Sequence, residues 1–204
     1  MSLPSVFSFK KVLHVIWAFL GVSIICTAQS DPHSKSNFHE VRVSHIYWEA
    51  FVDVPHRQIE ALEELTLQQL QPTTQLVLDT KDLNIRKVWI ANASRLYEPA
   101  SWELGTQDTI LGHALKVGIR GDTKYVKVDY SVGADAEGLL YMDSNQSLTG
   151  KPFLFSQSES ILARTWLALQ DSPQVRFTFD AKVKLPQGDK SLVLMSAPNN
   201  PKAT

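Results

Sequence analysis

Ile46-Tyr47-Trp48-Glu49-Ala50-Phe51-Val52-Asp53-Val54 carries the reading that decides the fold class. Ile46, Trp48, Ala50, Val52 and Val54 recur at every second residue, with Tyr47, Glu49, Phe51 and Asp53 between them. A period of two sends alternate side chains to opposite faces of an extended chain, so the stretch reads as a strand with one apolar face. Downstream, Leu76 to Leu78, Ile85 to Ile90, Leu115 to Ile119, Tyr125 to Tyr130, Val175 to Leu185 and Leu192 to Met195 repeat the theme, each bounded by Gly, Pro, Asn or Asp. The fold class expected from these runs is all-β, with no internal repeat and no low-complexity tract.

Two segments resist that reading. Between Arg57 and Leu70, Ile59, Leu62, Leu65 and Leu70 lie near one helical face, and Glu60, Glu63 and Glu64 are good helix formers. Ala61, Leu65 and Leu67 also share a strand face, and strands flank the segment on both sides. Tertiary context favours strand there. Over Glu159 to Leu169, by contrast, Ile161, Leu162, Thr165, Trp166 and Leu169 recur at three and four, which predicts one short helix with Ser158 as its N-cap.

Composition narrows the functions. A chain of 204 residues, 44% apolar and 20% charged, can bury a core and is neither disordered nor collagenous. A formal charge of −1 gives no electrostatic reason to expect nucleic acid as a partner. The single cysteine, Cys26, can form neither an internal disulfide nor a paired-thiolate zinc site.

The start of the chain differs from the rest. Lys10 and Lys11 precede an apolar run from Val12 to Cys26, followed by Thr27-Ala28-Gln29-Ser30, the pattern of a secretory signal helix cleaved after Ala28. The expected organisation is a signal peptide over 1–28, a polar leader over 29–38 and a β domain over 39–204. Export to a periplasmic or extracellular space follows. Membrane attachment would arise only from an uncleaved signal or from lipidation of Cys26, and the bulky Ile25 disfavours the latter. The sequons Asn92-Ala93-Ser94 and Asn145-Gln146-Ser147 matter only in a eukaryotic secretory route.

Catalytic patterns are scarce. His39-Glu40-Val41-Arg42-Val43-Ser44-His45 places its histidines six residues apart rather than four, on a strand start that splays the imidazoles, so it is a poor zinc motif. His33, His56 and His113 sit singly in turns or at strand ends. No phosphate-binding glycine loop, dinucleotide fingerprint or nucleophile elbow is present. One run stands out. Lys151-Pro152-Phe153-Leu154-Phe155 reads as a buried apolar strand that leads directly into Gln157, Glu159 and Arg164. A glutamate at a cleft mouth can receive a primary ammonium group through a charge-assisted hydrogen bond. The competing reading, favoured by periodicity alone, makes Glu159 a first-turn helix residue with Arg164 as its salt-bridge partner.

The string Phe155-Ser156-Gln157-Ser158-Glu159-Ser160-Ile161-Leu162-Ala163-Arg164, followed by Gln170-Asp171-Ser172-Pro173-Gln174-Val175-Arg176-Phe177, resembles the N-terminal domain of the aminopeptidase N family of zinc aminopeptidases, and within it the leukotriene hydrolase branch. Asp31-Pro32-His33-Ser34, Glu40-Val41-Arg42-Val43, Leu76-Val77-Leu78-Asp79-Thr80-Lys81-Asp82-Leu83 and Leu194-Met195-Ser196-Ala197 resemble that domain in the same order. The resemblance implies a saddle-like assembly of mixed and antiparallel sheets. It also implies that Glu159 helps hold a peptide amino terminus, with Gln157 lining the neighbouring pocket. Glutamine is usual at the place of Glu159 in the leukotriene hydrolase branch, so the glutamate favours peptide over epoxide chemistry. Two further departures, Ala168-Leu169 in place of Pro-Cys and Tyr141 in place of tryptophan, read as packing changes.

In relatives the Gly-x-Met-Glu-Asn strand and the His-Glu-x-x-His zinc helices lie beyond the place of Thr204. The expectation is therefore a β domain incomplete at its C-terminal end. It would hold no catalytic residue and no cofactor of its own, since zinc belongs to the complete enzyme. Three functional readings follow: a non-catalytic portion of a zinc aminopeptidase whose catalytic domain is missing or on another chain, an exported peptide-binding or scaffold module, or a fragment of an active metallo-aminopeptidase.

Overall fold

The computed structural model describes residues 31–200. The signal helix, its cleavage after Ala28 and the lipidation of Cys26 all fall outside the described residues. The described chain is nearly all strand: β1 (Val41–Asp53), β2 (Gln58–Gln69), β3 (Gln75–Thr80), β4 (Leu83–Ala91), β5 (Glu98–Pro99), β6 (Trp102–Leu104), β7 (His113–Gly118), β8 (Tyr125–Val132), β9 (Leu139–Met142), β10 (Phe153–Ser156) and β11 (Thr178–Lys184). A six-stranded sheet runs in the order β11-β1-β2-β8-β4-β5, a three-stranded sheet in the order β3-β7-β6, and β9 pairs with β10. β11 lies parallel to β1, and the other pairings are antiparallel.

The alternation read from sequence is the alternation of burial. Ile46, Trp48, Ala50 and Val52 face the core, as do Ile59, Ala61, Leu65 and Leu67 of β2. Within Arg57 to Leu70, Gln58–Gln69 is thus a strand held centrally between β1 and β8, and Leu62, apolar on the helical reading, is 36% exposed. Irregular register between Val43 and His45 in β1 and between Ile85 and Lys87 in β4 changes which parity points inward, so Val41 and Val43 share the core with Ile46, and Leu83 and Ile85 share it with Val88 and Ile90. Leu76, Leu78, Leu115 and Val117 of the smaller sheet join the same apolar cluster.

Three expectations change. The helix predicted over Glu159 to Leu169 is reduced to one 3-10 turn, Ala163–Thr165. The amides that would continue a helical ladder bond elsewhere, Ala168 N–H to Glu63 Oε2 at 3.0 Å and Leu169 N–H to the Asp79 carbonyl at 3.3 Å. Ser158 does not cap it: the Ser158 hydroxyl accepts the indole N–H of Trp166 at 3.2 Å. Leu192 to Met195 is irregular rather than a strand, with Leu192 and Leu194 largely exposed and no strand partner among the described residues. β10 is a strand but is not buried, since Phe153 and Phe155 are about half exposed.

Candidate functional site

Gln157 and Glu159 lie on the turn that leaves β10, and both are exposed. The backbone ties this turn to β9, with Gln157 N–H donating to the Gly138 carbonyl at 2.9 Å. The Gln157 side chain then folds onto the turn, its Oε1 accepting the Glu159 N–H at 3.1 Å. The peptide bond between Glu159 and Ser160 is cis. The Glu159 carboxylate accepts no hydrogen bond from any described residue, so its lone pairs are open to solvent or to a ligand donor. Beside the turn, Phe155 and Ser156 help line a largely apolar cavity of about 440 Å³ walled by Trp48, Ile59, Leu139 and Trp166.

Arg164 is not the partner of Glu159. It is fully buried and spends its guanidinium inward. Nε donates to Asp171 Oδ2 at 2.9 Å, Nη1 to the Leu111 carbonyl at 3.1 Å, and Nη2 to the His33 and Asp171 carbonyls at 2.8 and 3.1 Å. Asp79, also fully buried, lies 3.9 Å from Nη1 and accepts the Ser34 hydroxyl, the Lys35 N–H and the Asp171 N–H. Two carboxylates thus share one guanidinium. Burial raises the pKa of Asp171, and the hydrogen bond and charge of Arg164 oppose that rise without cancelling it.

Gln170 fills another structural role. Its amide accepts the Val43 N–H at 2.9 Å and donates to the Val41 carbonyl at 2.8 Å, matching one residue's worth of strand pairing against β1. Ala168 and Leu169 are buried in the core. Tyr141 faces inward from β9 with the Arg57 guanidinium 5.6 Å from its ring centroid.

Glu63 went unnoticed as a site residue in the sequence, although the strand register Ile59, Ala61, Glu63, Leu65, Leu67 already places it on the core face. It is fully buried on β2. Oε2 accepts the Ala168 N–H and lies 3.0 Å from the Tyr130 hydroxyl, while Oε1 has no partner. That hydroxyl also lies 3.0 Å from the Trp166 carbonyl and accepts the Trp48 indole N–H at 3.1 Å. One phenolic proton cannot serve both acceptors. A protonated Glu63 resolves the count, because its own O–H donates to the phenolic oxygen and frees Tyr130 to donate to Trp166. Burial, partly opposed by the Ala168 and Tyr130 hydrogen bonds, pushes the Glu63 pKa up to about 8. The acid therefore pins β1, β2 and β8 to the Trp166–Ala168 backbone, on the same loop as Arg164.

His39 and His45 are not brought together on a metal. His45 Nδ1 bonds the Thr178 hydroxyl at 2.8 Å, and the Glu40 carboxylate is occupied by Asn37 and Thr73. His33, His56 and His113 stand apart, near Asp31, against Asp53 and on the Gly105 carbonyl respectively. Among the described residues no three His, Cys, Asp or Glu side chains gather where they could hold a metal ion. The zinc implied by the resemblance finds no fitting set of ligands among the described residues.

Comparison with known proteins places this arrangement. The profile of the peptidase M1 N-terminal domain matches residues 42–202. Leukotriene A-4 hydrolase of Xenopus laevis is 31% identical over 176 residues, which cover 82% of this chain and 28% of that protein. Leucine aminopeptidase 2 of Chaetomium globosum is 23% identical, with 76% of this chain and 26% of that protein covered. The structure of yeast LTA4 hydrolase in complex with bestatin superposes with a TM-score of 0.71 at 25% identity, covering 78% of this chain and 25% of that one. The chain thus spans about a quarter of the length of these relatives.

Proposed function

We propose, from the premise that this chain belongs to the M1 peptidases as their N-terminal domain, that it supplies the part of a zinc aminopeptidase that receives the free amino terminus of a peptide. The zinc chemistry of the M1 metallopeptidases would come from the catalytic domain, outside the described residues or on another chain. Glu159 is the receptor in this reading: its carboxylate would accept hydrogen bonds from the substrate ammonium, with Gln157 holding the turn in place. The observation that carries the proposal is the exposed Glu159 carboxylate, which accepts no hydrogen bond from any described residue, on a loop whose Arg164 and Gln170 side chains point inward. Such preorganisation spares a ligand the cost of ordering the loop.

The test is an isothermal calorimetric titration of the full chain with leucinamide and with N-acetyl-leucinamide. The expected result is about tenfold tighter binding of the free amine, lost in Glu159→Gln, as befits one charge-assisted hydrogen bond. Equal binding of the two ligands, or an unchanged preference in the variant, would remove Glu159 from the proposal.

A further inference from the structure

We propose that the Tyr130 hydroxyl is a proton-controlled latch on the loop after β10: it holds the Trp166 carbonyl while Glu63 carries its proton, and turns to the Glu63 carboxylate when that proton leaves. The inference is independent of what Glu159 binds. Glu63 and Tyr130 are both fully buried, on the adjacent strands β2 and β8. The phenolic oxygen stands 3.0 Å from Glu63 Oε2, 3.0 Å from the Trp166 carbonyl and 3.1 Å from the Trp48 indole nitrogen. An indole N–H only donates and a carbonyl only accepts, whereas a carboxyl does either according to its proton. One acid proton therefore decides which way the phenolic O–H points.

With Glu63 protonated, each of these groups is served. The carboxylic O–H and the Trp48 N–H donate to the phenolic oxygen, whose own proton goes to the Trp166 carbonyl. Ionised, Glu63 can only accept. Its proton passes to solvent, and the phenolic O–H rotates about its C–O bond towards Oε2, because a hydrogen bond to a carboxylate is about twice as strong as one between neutral groups. The Trp166 carbonyl loses that donor. The Ala168 N–H, already 3.0 Å from Oε2, is held more tightly by the charge. Two anchors of the loop thus become one. The change reaches the turn beyond, since the Trp166 indole N–H donates to the Ser158 hydroxyl at 3.2 Å, next to Glu159.

The surroundings make Glu63 the group that titrates. Burial and the neighbouring Glu63 charge hold the Tyr130 phenol well above its ordinary pKa, so it keeps its proton. Burial likewise pushes the carboxyl up, to about 8. In register with Glu63 stand Trp48 on β1 and Val128 on β8, neither of them charged. The charged residues of these strands alternate onto the opposite face. There Glu60 and Asp129 pair with Arg86, Glu64 with Arg95 and Lys127, and Glu49 with Lys184. On the loop, Arg164 turns its guanidinium to Asp171, Asp79 and the His33 and Leu111 carbonyls.

The test is NMR of the isotope-labelled full chain, titrated from pH 5 to pH 10. The Trp166 carbonyl carbon is expected to move upfield as its donor leaves, the Ala168 amide proton to move downfield, and the Trp166 indole proton to shift with them, all with one midpoint at about pH 8. In Tyr130→Phe the Ala168 proton still titrates and the Trp166 carbonyl does not, since there is no phenolic proton to withdraw. In Glu63→Gln none of the three titrates. A Trp166 carbonyl that stays flat in the unsubstituted chain, whether or not Ala168 moves, overturns the latch. So does a carbonyl that still titrates in Tyr130→Phe. An indole proton that stays flat while the carbonyl moves overturns the coupling to Ser158. The first and last of these outcomes are read from the unsubstituted chain and hold even where a variant fails to fold.

Discussion

Replacing Glu63 by glutamine isolates the buried acid, and the magnitude can be worked from its surroundings. The carboxyl holds its proton in the folded chain up to about pH 8, against about 4.5 once exposed by unfolding. Between those two values the native state binds a proton that the unfolded state has released. The stability contributed by that proton is fully present below pH 4.5 and falls by about 1.4 kcal/mol per pH unit as pH rises towards 8. Across the whole window the loss is on the order of 5 kcal/mol. Glutamine stays neutral throughout and shows no such slope. It carries instead a fixed penalty, because its amide N–H group meets an environment with few acceptors.

The assay is urea denaturation of both proteins from pH 4 to pH 9, read as the difference in unfolding free energy. Some other carboxylates titrate with the opposite sign, while Asp171, raised by burial, shares the sign of Glu63. Asp31, held low chiefly by the Ser172 hydroxyl, and Glu40, held low by Asn37 and Thr73, lose stability in acid. Both proteins share those groups, so the difference cancels them. The expected curve is flat below pH 4.5, tilts steadily in favour of Glu63→Gln, and flattens again above pH 8. Parallel stability curves between pH 5 and pH 8 would refute the neutral-acid reading of the Trp48–Tyr130–Glu63 network.

Arg164→Met is expected to cost about 3–5 kcal/mol in denaturant midpoint experiments, since it leaves Asp171 and Asp79 buried without their cation. In the same variant, amide hydrogen exchange should speed up between Ser158 and Leu169, while β4 and β8 stay protected. Gln170→Ala orphans the Val43 N–H and the Val41 carbonyl and should cost about 2–4 kcal/mol, read by thermal unfolding.

How far the sequence revealed this fold depends on the range over which each signal acts. Alternation in β1 is local, and Ile46 to Val52 show it cleanly. For β2 the local signal was ambiguous, and the neighbours β1 and β8 decided it by taking up both edges. The segment after β10 misled for the complementary reason. Ile161, Leu162, Thr165 and Trp166 have helical spacing, yet the carboxylate that draws off the Ala168 amide belongs to Glu63, far away in the chain. Spacing cannot report such a competitor. Leu192 to Met195 shows the converse: an apolar run suited to a strand stays irregular when no described strand stands beside it. The reading of Gln157 and Glu159 as a site rests mainly on the family resemblance, since periodicity alone makes Glu159 a helix residue paired with Arg164; the structure shows both residues exposed. The inward roles of Arg164, Gln170 and Asp171 became visible only when Asp79, Val41 and Val43 were brought against them.

Those inward roles explain how a turn without sheet pairing can hold the backbone that carries Glu159. From Gln157 to Gln174 the chain has no continuous ladder, so its buried backbone groups need other partners. The Trp166 carbonyl finds Tyr130, the Ala168 N–H finds Glu63, and the Arg164 carbonyl accepts the Lys81 N–H at 2.8 Å. Arg164 and Gln170 reach back to satisfy carbonyls and amides of His33, Leu111, Val41 and Val43. Each of these side chains is turned into the scaffold, away from a ligand at the surface. Glu159 is the acidic residue of this loop left over. A receptor for an ammonium group needs such a residue: one whose position is set by neighbours that do not compete for it. It follows that Arg164→Met should weaken binding of a free amino terminus as well as stability, though Arg164 touches no ligand. Glu159→Gln should weaken binding while leaving the denaturation midpoint in place. If both variants lowered stability and binding in proportion, Glu159 would be one more scaffold residue and the division of labour within this loop would fail.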